Sequence, residues 1–291
     1  MVYQERAYAK INLGLKIVGK RKDGYHNILS LLQTVDLHDR LIFRDAREGI
    51  QIRCAVPGVP RDHRNLVYQA VETLRAELSV DRGVVVDIDK RIPVGAGLGG
   101  GSSDAAATIR ALNRLWKLDI PFEGQVRMAA QLGSDVPFFL KAGTAVASGR
   151  GEVLKYVRWE EEIFYVLVYP GFPVSTAWAY GQLGKIDLTK GVRYINFINS
   201  LAHKISQSAE LLACLESDFE ALIEGTYPAV SEIKERLRQG GAVACSLSGS
   251  GSTMYGVFQT RAEAERALAS LQDTSWTAFV CRPWEVQRSD E

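Results

Sequence analysis

The sequence predicts an α+β protein of two domains, divided near residue 160, and three observations carry that prediction. From Arg6 to Val18 apolar and polar residues alternate, the two-residue period of a strand covered on one face. Between residues 93 and 107 a glycine-rich run passes directly into strong helix formers. From residue 163 onward the patterns follow the order strand, helix, strand, strand, helix, strand, which is the ferredoxin-like split βαβ arrangement. A length of 291 residues suits two cores of ordinary size. The acidic run Glu160-Glu161-Glu162 is the best boundary, giving domains at 1–160 and 161–291. A last strand that packs back on the first domain stays open as an alternative.

Each element has its own signal. In the first strand Ala7, Ala9, Ile11, Leu13, Leu15 and Ile17 share the apolar face. Tyr8, Lys10, Asn12 and Lys16 share the other, so Lys10 and Asn12 are neighbours on the polar side of a half-buried strand. An Asp23-Gly24 turn leads to strands over 28–43 and 50–55. Asn65 can cap a helix through 78, with Leu66, Ala70, Leu74 and Leu78 at helical spacing. A strand over 84–88 precedes the glycine run, and a helix over 104–117 follows it with Ile109, Leu112, Leu115 and Trp116 as its buried stripe. A helix over 123–132 and a hairpin over 143–153 complete the first domain. The second has strands at 163–169, 243–247, 253–259 and 277–282, with helices at 229–239 and 262–271. Helices between 175 and 224 are an insertion within it.

Composition excludes several classes. A net charge of +1 leaves no basic field for nucleic acid. The densest cluster, Lys20-Arg21-Lys22, runs into the Asp-Gly turn and reads as a solvated loop or as a patch that steers an anionic substrate. Cysteines 54, 214, 245 and 281 are scattered without metal or disulfide-framework spacing, and the four histidines show no zinc pattern. The polar start and the lack of any membrane-length apolar run point to a reduced, cytoplasmic protein with no membrane partner.

The glycine run carries the chemistry. It reads Pro93-Val94-Gly95-Ala96-Gly97-Leu98-Gly99-Gly100-Gly101-Ser102-Ser103-Asp104, with five glycines in seven positions. Unpaired N–H groups at the following helix start make an anion site, and the natural anion is phosphate. Gly95, Gly97 and Gly100 match the dinucleotide fingerprint, with Asp119 near the position of a ribose-binding acid. That fingerprint belongs in a first βα turn, whereas this run begins past residue 90 after an intervening Asp89–Pro93 segment. A Walker A loop needs a lysine before Ser or Thr, and Gly100-Gly101-Ser102-Ser103 has none. A plain capped connection explains one serine but not five glycines, each of which costs conformational entropy.

The run also resembles the second motif of the GHMP kinases, which use ATP to phosphorylate small alcohols and a few acids. Lys10 to Asn12 resemble the first motif of that superfamily, and Leu247-Ser248-Gly249-Ser250-Gly251-Ser252-Thr253 resembles the third. Four more segments are similar to one branch: A-Y-A-K-I-N-L-G-L at 7–15, D-G-Y-H at 23–26, N-L-V at 65–67 and G-S-D-V-P-F-F at 133–139. The resemblance implies an N-terminal ribosomal protein S5 domain 2-like domain before the ferredoxin-like one. It implies ATP as co-substrate, Mg²⁺ as cofactor, and an acceptor carrying a cytidine diphosphate group. The expected reaction phosphorylates the 2-hydroxyl of 4-diphosphocytidyl-2-C-methyl-D-erythritol, in the non-mevalonate isoprenoid pathway, by a monomer or weak homodimer. A homoserine- or mevalonate-type kinase, or a nucleotide-binding regulator without catalysis, are the alternatives.

By the same resemblance Asp135 is the catalytic base or orienter and Lys10 its partner, with Asn12 on the substrate. Tyr25 and His26 lie against the cytosine, and Tyr180 faces them, with Trp178 as its rival. Asn65 and Leu66 line the adenine pocket, and residues 93–103 hold the phosphates. Ser103 or Ser102 offers a hydroxyl to a phosphate oxygen or to Mg²⁺. Asp104 serves the helix start or points at metal-bound water, and the metal ligands stay unassigned. Read without the resemblance, Asp135 is a turn or cap residue, Lys10 a solvated strand lysine and 248–252 a hairpin loop.

Overall fold

The computed structural model describes residues 1–159, 162–182, 184, 216–272 and 274–285. Glu160 and Glu161 of the expected boundary, Cys214 and most of the expected insertion lie outside the described residues. The chain forms two compact units, each assembled from discontinuous pieces: Met1–Ala9, Leu37–Val94 and Gly99–Ala142 in the first, Lys10–Asp36, Gly95–Leu98 and Gly143 onward in the second. The long strands β1 (Val2–Lys20) and β2 (His26–Ala46) contribute to both.

In the first unit the later half of β2 pairs antiparallel with β4 (Gly83–Asp89), and β4 pairs parallel with β3 (Ile50–Cys54). Leu41, Phe43, Ile52, Val84, Val86 and Ile88 are among its buried strand residues. Four helices complete the unit: α1 (Leu66–Leu78), α2 (Gly100–Leu115), α3 (Phe122–Leu132) and α4 (Val136–Lys141). The buried face of α1 is Val67, Ala70, Val71 and Leu74 rather than the expected row ending in Leu78. Ser79 turns left-handed at φ 54°, which ends the helix and leaves Leu78 exposed. Helix α2 starts four residues before the expected Asp104, because Gly99 takes φ 70° and Gly100 already has helical geometry. The short α4 was not expected; its V-P-F-F-L run carries proline in the first turn, where no N–H is needed, and is too brief for a helical period.

In the second unit the first half of β2 pairs with β5 (Thr144–Ser148), and β5 with β6 (Val153–Val157). The C-terminal sheet has the order β10-β7-β9-β8, from β7 (Phe164–Tyr169), β8 (Ala244–Leu247), β9 (Met254–Phe258) and β10 (Thr277–Cys281), all antiparallel. Helices α7 (Pro228–Gln239) and α8 (Arg261–Ala269) connect them, giving the expected βαββαβ order. Helix α5 (Thr176–Gly181) lies within the expected insertion, and α6 (Glu220–Thr226) begins within it and runs past its end. Val166, Val168, Phe219, Ile233, Leu237, Met254 and Phe258 form the core. Past β10 the backbone returns to β2: Asp36 N–H donates to Arg282 carbonyl (3.1 Å) and Trp284 N–H to Thr34 carbonyl (2.9 Å).

The polar side of β1 is not half-exposed as expected. Lys10, Asn12 and Lys16 are all buried. Residues 216–218 run beside β1, where Leu15 exchanges backbone hydrogen bonds of 2.9 Å with Glu216 and Asp218. Their carboxylates meet the Lys16 ammonium at 3.2 and 3.0 Å; the Asp218 side chain is mostly buried with the lysine as its counter-charge, while Glu216 stays exposed.

Candidate active site

Three segments of the second unit are knitted together around Lys10 and Asn12. Lys10 N–H donates to Leu98 carbonyl (3.0 Å), and Thr253 N–H to Ala96 carbonyl (3.2 Å). The Ser248 hydroxyl accepts from Asn12 N–H at 3.2 Å and donates to Gly97 carbonyl at 3.1 Å. Ser217 secures the far side by donating to Gly249 carbonyl at 2.7 Å. The first half of the glycine run therefore lies between β1 and the 248–252 loop.

Gly97 shows why that arrangement excludes side chains. Its φ is +79°, and a Cβ there would sit 2.7 Å from Ser248 carbonyl oxygen and 2.8 Å from that of Gly251. Both obstacles are backbone. The closeness of the two small-residue loops is thus a main-chain contact.

Within the Lys10 cluster, the ammonium donates to Asn12 Oδ1 at 2.5 Å and Asn12 Nδ2 donates to Ser30 Oγ at 2.8 Å. Farther along, the His26 and Tyr180 rings stack with centroids 5.5 Å apart and planes 29° apart. Tyr180 also meets Phe219 edge-on at 4.9 Å. Burial, with the Lys20 charge adding, lowers the pKa of His26 and favours its neutral imidazole. Trp178 instead meets Tyr227 in a T-shaped arrangement, and Tyr227 stacks on Phe172. Tyr25 is exposed, with the Arg150 guanidinium 5.1 Å from its ring centre.

The first unit holds the rest of the run. Ser103 N–H donates to Gly99 carbonyl, so the N–H groups of residues 99–102 precede the first intrahelical bond of α2. Free N–H groups at a helix start are of the kind that can bind an anion. Beside it lies the start of α1: Leu66 Cδ1 is 3.7 Å from where a Gly101 Cβ would stand. Asn65 caps α1, accepting from Val67 N–H at 2.9 Å and donating to Pro60 carbonyl at 2.7 Å. Ser103 is buried and Ser102 half-buried.

Asp104 neither caps the helix nor faces water. Its Oδ2 accepts from Lys90 Nζ at 2.7 Å, and the same ammonium reaches Asp39 Oδ2 at 2.5 Å. Asp39 Oδ1 accepts from Arg91 N–H (2.5 Å) and Ile92 N–H (2.8 Å), which pins the backbone leading into the glycine run. Burial opposes the Lys90 charge, but the carboxylates of Asp104 and Asp39 outweigh it and raise its pKa. Burial pushes the Asp104 carboxyl up more than Lys90 lowers it, with Asp39 adding a like charge. Asp104 Oδ1 is buried with no hydrogen-bond partner. Sequence reasoning missed Asp39 and Lys90, whose separation of 51 residues leaves no local signal.

Asp135 stands at the N-cap position of α4, yet its side chain makes no capping bond. It belongs to the first unit and Lys10 to the second.

Among the described residues no cluster of three His, Cys, Asp or Glu could hold a metal, and no helix is long and apolar enough to cross a membrane. Residues 65–143 match the family model for the GHMP kinases N terminal domain, and residues 194–275 match that for the GHMP kinases C terminal. A 4-diphosphocytidyl-2-C-methyl-D-erythritol kinase of Chlorobium phaeobacteroides is 41% identical over 263 residues, covering 90% of this chain and 91% of that protein. A crystal structure of 4-(cytidine 5'-diphospho)-2C-methyl-D-erythritol kinase superposes with a TM-score of 0.80 at 30% identity, covering 97% of this chain and all of that one. Homoserine kinase from Cytophaga hutchinsonii shares the fold alone, with a TM-score of 0.76 at 17% identity over 97% of this chain and 95% of that one. With both family segments matched in order, and this identity across nearly its whole length, the chain belongs to the GHMP kinases.

Proposed function

We propose that this protein transfers the γ-phosphoryl group of ATP to the 2-hydroxyl of 4-diphosphocytidyl-2-C-methyl-D-erythritol, giving the 2-phosphate and ADP in the non-mevalonate isoprenoid pathway. The observation that carries the choice of acceptor is the stacked His26–Tyr180 pair in a chain so similar to kinases named for that substrate. An aromatic shelf with a neutral imidazole suits a cytosine, which needs a stacking surface and hydrogen bonds to its edge. Tyr180 takes this role over Trp178 because its ring, and not that of Trp178, stacks on His26. Tyr25 and Asn12 complete the acceptor side.

In this reading residues 93–103 hold the nucleotide phosphates through backbone N–H groups, and Asn65 and Leu66 border the adenine. The acceptor oxygen attacks the γ-phosphorus, the bond to the β-phosphate oxygen breaks, and Asp135 takes the hydroxyl proton. In a loose transition state little activation of the alcohol is required, so an ordinary carboxylate suffices. Lys10 stabilises the charge gathering on the transferred group.

Mg²⁺ suits the donors present: the hydroxyls of Ser102 and Ser103 and the unpartnered Oδ1 of Asp104. Mg²⁺ commonly takes one or two carboxylates plus substrate phosphates. When bound it neutralises charge on the nucleotide phosphates. We also propose two domains that meet near residue 160, between the two matched segments, in a cytoplasmic protein acting as a monomer or weak homodimer without nucleic acid or membrane.

The test is ATP consumption with the cytidine substrate, homoserine and mevalonate, on the wild type, Asp135→Asn and Lys10→Ala. Turnover on the cytidine substrate alone, lost in both folded variants, is expected. Turnover on a control acceptor alone discards the cytosine site. Near-normal rates in both variants discard the assigned roles, and ATP binding with no turnover anywhere favours a regulator.

A further inference from the structure

We propose that Ser30 is a positioning residue for this site, fixing which end of the Asn12 amide faces Lys10. The inference rests on the roles given above to Lys10 and Asn12. Ser30 lies in β2 and is fully buried. A serine hydroxyl has one proton to donate and lone pairs to accept. That proton goes to Gly14 carbonyl at 2.7 Å, a group that can only accept. The remaining lone pairs face Asn12 at 2.8 Å, and only the amide NH₂ can satisfy them.

With its nitrogen committed to Ser30, the amide must present its oxygen to Lys10 Nζ, 2.5 Å away. Shape does not make this choice, because the two ends of an amide are nearly the same size. Flipped, the amide would set two donors against each other where Lys10 and Asn12 are only 6% and 4% exposed. Gly249 closes the remaining side: a Cβ there would lie 2.9 Å from Asn12 Oδ1, so backbone alone covers the amide. Ser30 therefore acts on the ammonium through Asn12, two hydrogen bonds away.

The test combines kinetics and side-chain amide exchange on Ser30→Ala, with Lys10→Ala as control. The Asn12 side-chain NH₂ resonances are assigned by their loss in Asn12→Asp. In the wild type they exchange slowly. In Ser30→Ala they lose protection, and kcat falls by about tenfold or more while the KM for ATP stays within about twofold, as expected for misplacement of a reacting group. Should Ser30→Ala melt below assay temperature, Ser30→Cys fills the space with a slightly larger, weakly bonding group and is expected to show the same pattern. Retained protection, or kcat within about twofold of wild type while Lys10→Ala is inactive, overturns this inference alone. An active Lys10→Ala overturns the reading beneath it.

Discussion

Substitution of Asp39 separates two jobs done by one buried carboxylate. Its Oδ1 accepts the N–H groups of Arg91 and Ile92, and its Oδ2 accepts from Lys90. Asp39→Ala orphans both amides and leaves Lys90 to Asp104 alone. An unsatisfied buried donor costs about 1–3 kcal/mol, and removing one member of a buried ion pair about 3–5, so we expect a loss of about 3–5 kcal/mol with Lys90 still partly compensated. Asp39→Asn keeps an oxygen for the two amides and turns an NH₂ toward Lys90, so its loss should be about 1–3 kcal/mol. Urea denaturation followed by circular dichroism gives both values, and exchange of the Arg91 and Ile92 amides gives the local effect. An asparagine variant as damaged as the alanine one, or both within about 0.5 kcal/mol of wild type, would refute the division of labour.

The pH dependence carries a sign. The Asp104 carboxyl titrates higher in the folded chain, at about 7, than in the unfolded one, because burial and Asp39 disfavour its charge. The stability associated with it is complete below the unfolded carboxylate range and declines as pH rises through about 7. Asp39→Asn removes the like charge and should flatten that decline.

Other predictions are independent of this cluster. Gly97→Ala places a Cβ 2.7 Å from Ser248 carbonyl oxygen at a left-handed φ, so the melting temperature should fall and the KM for ATP rise; an unchanged pair of values would remove the loop contact from the account. Tyr180→Ala should raise the KM for the cytidine substrate about tenfold or more and leave that for ATP alone, since a stacked base is worth about 1–3 kcal/mol. Equal effects on both substrates would place Tyr180 in the scaffold. Burial pushes the Cys245 thiol up to about 11, so alkylation at pH 8 should be slow and accelerate as pH rises toward that value. Rapid labelling at pH 8 contradicts the raised pKa of this half-buried thiol. Stability linked to this thiol is present below the unfolded thiol pKa and lost as pH rises through about 11.

Much of the fold was legible because its signals are local. The alternation from Ala7 to Ile17 identified β1, and Asn65 announced α1 by the chemistry of its side chain. The start of α2 was not legible, because it depends on the backbone sign at Gly99 and not on a side-chain cap. Burial of Lys10, Asn12 and Lys16 was hidden for another reason: the segments that lie against them, around Ser248–Gly249 and Glu216–Asp218, are some two hundred residues away. The same distance problem concealed Asp39 and made Asp104 look like a cap. In the site, the glycine run and Lys10 were visible as motifs, whereas Ser30, Ser217 and Lys90 became visible only through the atoms they hold.

The way the two units are threaded has a consequence for synthesis. Neither is a contiguous stretch: the first waits for residue 142, and the second joins Lys10–Asp36 to segments beginning at Gly143. A ribosome therefore releases the first half of β2 long before its partner β5 exists, and its unpaired edge must be kept from other chains meanwhile. No single cut in the chain separates one unit from the other. Expression of the chain is expected to depend on folding helpers, and on translation speed past residue 143, more than its modest length suggests.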